Sequence, residues 1–261
     1  MKNADQKYAD SSVVEGAVST LAVLTGSSRD VERILVSSDC DRENPGIARI
    51  LELGAAKGVE IRELSPEEFS EITAGSTHGG IAAVVGERKK LSLEELLSKK
   101  DGFFVMLCGI EDPYNFGDAL RSLYAFGADG AVLTPRNWTS AASVTARSSA
   151  GASELMDMAV CDDEEQLFSL CEKFGIKIVC AVEKDAVSLH RSRLERPLLL
   201  VVGGEKRGIS RAILDHASQR VRIGYGRNFN RSLSASAAAA VIGYEVVRQS
   251  RHEKWKGTGK K

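Results

Sequence analysis

Three stretches of this 261-residue chain carry the residue types from which a polar ligand site is built. The first is Gly109-Ile110-Glu111-Asp112-Pro113-Tyr114-Asn115-Phe116-Gly117, and the second is Gly203-Gly204-Glu205-Lys206-Arg207-Gly208. The third is Gly224-Tyr225-Gly226-Arg227-Asn228-Phe229-Asn230-Arg231-Ser232. Each joins glycine, which permits close backbone approach to a ligand, to carboxylate, amide or guanidinium groups. Each also follows an apolar run: FFVMLC before the first, LLLVV before the second and the shorter VRI before the third. Runs of the first two kinds read as parallel strands buried on both faces, and open parallel sheets bind ligands beyond the carboxyl ends of their strands. Three such loops on one rim describe a binding site.

Several chemistries are excluded by what the loops lack. The second loop continues Gly208-Ile209-Ser210 rather than Gly-Lys-Ser or Gly-Lys-Thr, so it is no Walker phosphate loop. No Gly-x-Gly-x-x-Gly follows an early strand, so a Rossmann cofactor fold has no signature here. The five cysteines, Cys40, Cys108, Cys161, Cys171 and Cys180, form no Cys-x-x-Cys pair and do not cluster with the four histidines. They read as reduced core thiols, with neither metal nor disulfide expected.

The elements that must position these loops follow from apolar spacing in a chain that is 43% hydrophobic and 27% charged. Residues 13–24 have helical spacing, 33–37 read as a strand, 47–57 as a helix, 59–63 as a strand, 66–73 as a helix opened by Pro66, and 81–85 as a strand. That alternation predicts a compact α/β domain over 13–87, after a disordered lead-in over 1–12. The stretch 88–101, rich in lysine and arginine, reads as a linker with one or two amphipathic turns. A second α/β region spans 102–252, with strands at 103–108, 130–134, 177–181, 198–202 and 220–223. Its helices fall near 118–126, 140–148, 164–174, 210–217 and 232–251, and a basic tail closes the chain over 253–261.

Charge is distributed unevenly. The formal net charge is −1, yet from Val201 onward 13 Lys and Arg face 4 Asp and Glu. A basic quarter on an otherwise acidic chain points to an anionic partner. No apolar run approaches the roughly 20 residues that span a bilayer, and the polar start lacks the apolar core of a signal peptide. A cytoplasmic protein with no membrane partner is expected.

Taken in order, the three loops resemble the motifs of the SpoU (TrmH-type) RNA 2′-O-ribose methyltransferase family, within the SPOUT superfamily. The first family motif reads here Asn115-Phe116-Gly117-Asp118-Ala119-Leu120-Arg121, followed by Ala125-Phe126-Gly127. The second is the apolar strand running into Gly203-Gly204-Glu205-Lys206-Arg207-Gly208-Ile209-Ser210, and the third is Ser232-Leu233-Ser234 leading into an alanine-rich helix. Upstream, Val14-Glu15-Gly16-Ala17-Val18 and Thr77-His78-Gly79-Gly80-Ile81-Ala82-Ala83 look like the start and end of the family's RNA-binding domain. There are two departures: Ser234 stands where the family usually has Asn, and Ile223-Gly224 stands where it has Ile-Pro.

The resemblance implies an α/β protein: a C-terminal SPOUT-type parallel sheet with a trefoil knot, plus a small L30e-like α/β domain at the N-terminus. It implies methyl transfer from S-adenosylmethionine to a ribose 2′-hydroxyl without a metal, in a homodimer whose interface lies close to the cofactor. Carried over residue by residue, the catalytic set is Arg121, Asn115, Glu205, Ser232 and Ser234. The cofactor-binding set is Ala181, Val182, Gly203, Gly204, Gly208, Ile223 and Leu233, and Arg207, Arg227 and Arg231 are expected to hold RNA. Alone, Arg121 would read as a surface arginine paired with Asp118, Asn115 as a helix cap, and Ser232 as the cap of the last helix. Ribosomal RNA, most of all 23S, is the expected substrate, with transfer RNA as the alternative. An RNA- or ribosome-binding homologue with impaired catalysis is the reading that Ser234 raises. A small-molecule α/β enzyme would lack RNA affinity altogether.

Overall fold

The computed structural model describes residues 12–74, 77–135, 142–204 and 208–251. The lead-in expected over 1–12, Ser12 apart, and the basic tail expected over 253–261 lie outside the described residues. Two compact units emerge: one comprises 1–89 together with 137–155, the other 90–136 together with 156–261.

In the first unit, β1 (Ser12–Glu15), β2 (Val31–Ser37), β3 (Glu60–Leu64) and β4 (Ile81–Val85) form a sheet of order β1-β4-β2-β3. β2 and β3 run parallel, while β4 is antiparallel to both β1 and β2. Helix α1 (Ala17–Thr25) follows Gly16 without a side-chain cap, whereas α2 (Pro45–Ala56) and α3 (Pro66–Ile72) start where the sequence supplies a proline first turn and a cap. Asn44 accepts the Gly46 N–H at 3.0 Å, and Ser65 with Glu68 forms a reciprocal capping box. The helical spacing expected over 13–24 holds only from Ala17. Val13 and Val14 instead belong to β1, paired with Val84 and Ala83. The β-branched pair favours an extended backbone, and Gly16 at φ +86° breaks the chain between strand and helix.

Two further helices of this unit, Ala142–Ser148 and Ala152–Leu155, come from the middle of the chain. They arise within the region read from sequence as the second domain. Glu154, only 1% exposed, anchors the segment. Its carboxylate accepts hydrogen bonds from Arg29 Nε at 3.0 Å and from Ser28 Oγ at 3.0 Å, and pairs with Arg88 Nη2 at 2.5 Å. Burial lowers the Arg88 pKa from the usual arginine value, and the Glu154 charge opposes that shift.

The second unit is built on β5 (Phe103–Cys108), β6 (Gly130–Leu133), β7 (Met158–Val160), β8 (Lys177–Ala181), β9 (Val187–Ser188), β10 (Leu198–Gly203) and β11 (Gln219–Arg222). Their order is β7-β6-β5-β10-β8-β11-β9, and every pairing is parallel. β5 and β10 lie side by side at the centre, Leu198 against Phe103 and Gly203 against Cys108, which is why both read as unbroken apolar runs. β10 enters between β5 and β8, and β11 between β8 and β9. Late strands therefore insert among earlier ones, and the strand order reverses at β5, where ligand crevices form. Around the sheet lie α4 (Leu93–Leu97), α5 (Pro113–Ala125), α6 (Glu164–Lys173), α7 (Arg211–Asp215) and α8 (Ala235–Arg251). α4 falls within the stretch read as a linker, yet Leu93, Leu96 and Leu97 are buried in the core of this unit.

Candidate functional site

A cleft of about 960 Å³ opens at the carboxyl ends of β8, β10 and β11 and is closed on one side by the start of α8. The sheet supplies Ala181 and Val182 after β8, Val202 and Gly203 at the end of β10, and Val221 and Arg222 of β11. Ala235, Ala238 and Ile242 of α8 complete the wall, and small side chains there leave the space open. All seven residues expected to bind a cofactor line this cleft: Ala181, Val182, Gly203, Gly204, Gly208, Ile223 and Leu233. Arg227, Arg231 and Ser232 line it as well.

Backbone packing explains the glycines. Gly204 N–H donates to Cys108 O at 2.6 Å, drawing the loop after β10 onto the loop after β5. A Cβ on Gly204 would lie 2.3 Å from Gly109 O and 2.6 Å from its carbonyl carbon, so no side chain fits. On Gly203 it would meet Ile209 N at 3.1 Å, because the loop folds back on itself. Gly208 differs: nothing lies within 4 Å of a Cβ built there, and the residue borders the cleft. Ser210 then caps α7, accepting the Ile213 N–H at 3.2 Å and donating to Glu164 Oε2 at 2.9 Å. Glu164 thus ties α6 to the exit of this loop. Glu205 and Arg207 lie outside the described residues.

The first loop is shaped by Asp112, which accepts the Tyr114 N–H at 3.1 Å and caps α5, with Pro113 in the first turn. The helix therefore starts earlier than the expected 118, and Asn115 lies inside it rather than capping it. Asn115 and Arg121 are both exposed on α5, and neither is among the residues lining the cleft.

In the third loop the cap of the last helix falls on Ser234, not on Ser232 as expected. Ser234 Oγ accepts the Ala237 N–H at 3.2 Å, and Ser234 O accepts the Ala238 N–H at 2.9 Å. The helix consequently begins at Ala235, three residues beyond the start read from sequence. Ser232 is exposed at the cleft, while Ser234 is absent from its lining. Tyr225 Oη accepts the Leu233 N–H at 3.1 Å and so joins the two ends of the loop.

Sequence reasoning missed several lining residues. Glu183 is the one carboxylate among the described residues lining the cleft; the signal available was its position just past the expected Ala181-Val182 strand end. Tyr225 and Phe229 also line it, and both aromatics were visible in a glycine-rich loop. The thiols are chemically quiet. Burial pushes Cys108 and Cys171 up to about 12, and Cys161 and Cys180 up to about 11, so all four stay protonated at neutral pH. Among the described residues no group of three or more His, Cys, Asp or Glu can hold a metal, and no helix is long and apolar enough to cross a membrane. The cleft is thus a mixed site: apolar walls, exposed peptide edges, one carboxylate and several guanidinium groups.

Residues 102–244 match the model of the SpoU rRNA Methylase family, and residues 13–91 match that for RNA 2′-O ribose methyltransferase substrate binding. An uncharacterized tRNA/rRNA methyltransferase of Synechocystis is 29% identical over 239 residues, covering 90% of this chain and 62% of that protein. This chain thus spans less than two thirds of that relative. The 23S rRNA (guanosine-2′-O-)-methyltransferase RlmB of Pectobacterium atrosepticum is 29% identical over 249 residues, covering 92% of this chain and 98% of the relative. In fold, the chain is similar to the crystal structure of the SpoU methyltransferase AviRb from Streptomyces viridochromogenes in complex with AdoMet. That match has a TM-score of 0.76 at 22% identity and covers 97% of this chain and 95% of the other.

Proposed function

The chain belongs to the SpoU rRNA methylase family, and from that premise we propose that it methylates a ribose 2′-hydroxyl of ribosomal RNA, 23S above all, using S-adenosylmethionine. One observation carries the reading: seven positions at and beyond the carboxyl ends of β8, β10 and β11 gather around a single cleft, which the 109–117 loop does not line. The residues present fit the cofactor. Val182, Val202, Ile209 and Ile223 offer apolar walls to an adenine, and Glu183 can accept bonds from hydroxyl or ammonium groups. The peptide edges at Gly203 and Gly204 and the open space over Gly208 suit close backbone contact. When bound, the sulfonium supplies an electrophilic methyl group.

The chain's own task is then to hold the acceptor oxygen in line and exclude water. In this reading Arg121 grips the phosphate beside the acceptor ribose through its planar fork. It also offsets the negative charge that grows on the 2′-oxygen as its proton passes to the neighbouring RNA phosphate and the O–CH3 bond forms while the S–CH3 bond breaks. Asn115 and Glu205 position the nucleotide, Ser232 offers a hydroxyl at the cleft, and Arg207, Arg227 and Arg231 hold the RNA backbone. Ser234 contributes by fixing the start of α8, an assignment supported by its hydrogen bond to Ala237. A homodimer belongs to the same reading. It is supported by exposed apolar side chains on the two helices α5 and α8: Tyr114 at 59%, Tyr124 at 40%, Val241 at 42% and Tyr244 at 55%. Arg121 stands on α5, so pairing through that surface sets where its guanidinium meets RNA. The trefoil knot is supported by the late insertion of β10 and β11 among earlier strands. The cytoplasm is the compartment this reading assigns.

Transfer RNA is the second substrate reading, favoured by the tRNA/rRNA methyltransferase names of several relatives. The test is incorporation of tritiated methyl groups from S-adenosylmethionine into separate pools of unmodified ribosomal and transfer RNA. Label in ribosomal RNA that Arg121→Ala abolishes supports the proposal. Label confined to transfer RNA moves the substrate. Cofactor binding without transfer to either pool, or to ribosomal particles, supports the impaired homologue instead.

A further inference from the structure

The loop between β11 and α8 carries two exposed aromatic rings that border the cleft and extend beyond it into a second hollow. Tyr225 is 40% exposed and Phe229 56%, with ring centroids 6.3 Å apart and planes inclined at 54°. Gly224 and Gly226 flank Tyr225, so neither neighbour covers its faces. The hydrogen bond from Leu233 N–H to its hydroxyl holds the ring in place. Beside the main cleft lies a second depression of about 470 Å³, lined by Gly224, Tyr225, Gly226, Arg227, Phe229 and Leu233. The two hollows share Tyr225, Arg227, Phe229 and Leu233 as a common wall. The loop's own charge has one sign: Arg222, Arg227 and Arg231 are exposed, and the sequence holds no Asp or Glu between Asp215 and Glu245, while Glu183 enters the cleft from the end of β8.

An apolar hollow bordered by ring faces, with Arg227 in its wall and Arg231 on the same loop, has a definite complement. Single-stranded RNA presents unstacked bases as flat apolar faces, joined by phosphates, and aromatic side chains receive such bases by stacking. A protein partner would need no such alternation of ring and cation, and an isolated phosphate would not need the rings. We propose that Tyr225 and Phe229 form a stacking platform for one unpaired nucleobase of the RNA substrate, next to the cleft where the ribose is to react. Arg227 and Arg231 hold the phosphates on either side. The V-shaped arrangement places a base on the face of one ring, with the other ring at its border. The platform rests on the RNA reading above and adds to it a requirement: the target must be unpaired at or beside the methylated nucleotide. Stacking tolerates any base, so the platform selects for strand state rather than sequence.

The experiment compares two fluorescein-labelled 12-nucleotide oligoribonucleotides, one unstructured and one with abasic sites, by fluorescence anisotropy. They are titrated against the full-length protein and its Phe229→Leu and Phe229→Trp variants, with S-adenosylmethionine affinity measured by calorimetry in parallel. The wild type should bind the base-bearing oligonucleotide roughly 10-fold more tightly than the abasic one, the scale of one base–aromatic stack. Phe229→Leu should lose that difference and Phe229→Trp should keep it. A Phe229→Leu variant that still discriminates overturns the platform and leaves the RNA reading intact. Loss of cofactor affinity with unchanged RNA discrimination makes the rings a wall of the cofactor site and overturns the proposal. Loss of dimer alone, seen by sedimentation, makes them an interface and overturns it too. A wild type that binds S-adenosylmethionine but neither oligonucleotide overturns both the platform and the RNA reading on which it rests.

Discussion

Gly204 and Gly208 stand at opposite ends of one loop, and the structure assigns them opposite sensitivities to a single methyl group. In Gly204→Ala the new Cβ would sit 2.3 Å from Gly109 O, 2.6 Å from the Gly109 carbonyl carbon and 3.0 Å from Ile110 N. All three are backbone atoms at the end of a central strand, so relief requires moving the chain rather than turning a side chain. Separating the two loops by the needed ångström or so also stretches the Gly204 N–H to Cys108 O bond, 2.6 Å in the structure. Overpacking of this kind costs roughly 1–3 kcal/mol, and a lost buried hydrogen bond about 1 kcal/mol more. The expected loss is therefore about 2–4 kcal/mol, together with weaker binding of S-adenosylmethionine at the displaced cleft wall. In Gly208→Ala the Cβ meets nothing within 4 Å, and the residue borders the cleft. Its stability should change by less than about 0.5 kcal/mol, while cofactor affinity falls because the methyl occupies ligand space. Urea titration followed by circular dichroism and calorimetry with S-adenosylmethionine read the two effects separately. A Gly204→Ala protein with native stability and native affinity would refute the packing of these loops, as would two variants that behave alike.

Glu154→Ala should lower the stability of the first unit by about 3–5 kcal/mol, because Arg29 and Arg88 would keep buried charges without their carboxylate; urea denaturation checks it, and a loss under about 1 kcal/mol contradicts it. Ser210→Ala should cost about 1 kcal/mol through the lost cap of α7, and Glu164→Ala should weaken cofactor binding without abolishing folding, both measurable by thermal melts and calorimetry. The buried thiols set an alkaline limit. Their pKa values are raised from 9.0 to about 11 or 12, so the folded state retains protons that the unfolded state releases. Their contribution is thus full below about pH 9 and is lost as pH rises through 11 and 12. Native-state labelling with a thiol reagent at pH 8 should modify Cys40 first, and rapid labelling of all five cysteines would contradict the burial.

The parts of this fold legible in the sequence are those where one physical signal acts alone. FFVMLC and LLLVV are apolar on both faces, and the structure makes them adjacent central strands. Pro66 after Ser65, with Glu68 three residues on, announces α3 by its first turn. The seven residues that the family resemblance assigns to the cofactor converge on one cleft, since the motifs that carry the resemblance are local in sequence. What escaped was short or long-range. β9 has two residues and β7 three, too few for any periodicity to register. Val13 and Val14 favour a strand by type, yet they also continue the helical apolar spacing of 17–24, and their partners on β4 decide between the two. Nothing near Glu154 in the sequence announces Arg29, 125 positions away, so the attachment of residues 142–155 to the first unit was invisible. Ser232 and Ser234 are both plausible caps by type. The choice between them rests on where the backbone turns, which Tyr225 fixes by holding Leu233.

The atom that receives the methyl group separates ribose methylation from base methylation. Ribosomal RNA labelled by this protein from tritiated S-adenosylmethionine should be hydrolysed in mild alkali and separated by size. A methyl group on the ribose 2′-oxygen blocks attack on the neighbouring phosphate, so label is expected in an alkali-resistant dinucleotide, absent with Arg121→Ala. Label recovered in mononucleotides would place the methyl on a base and contradict ribose methylation.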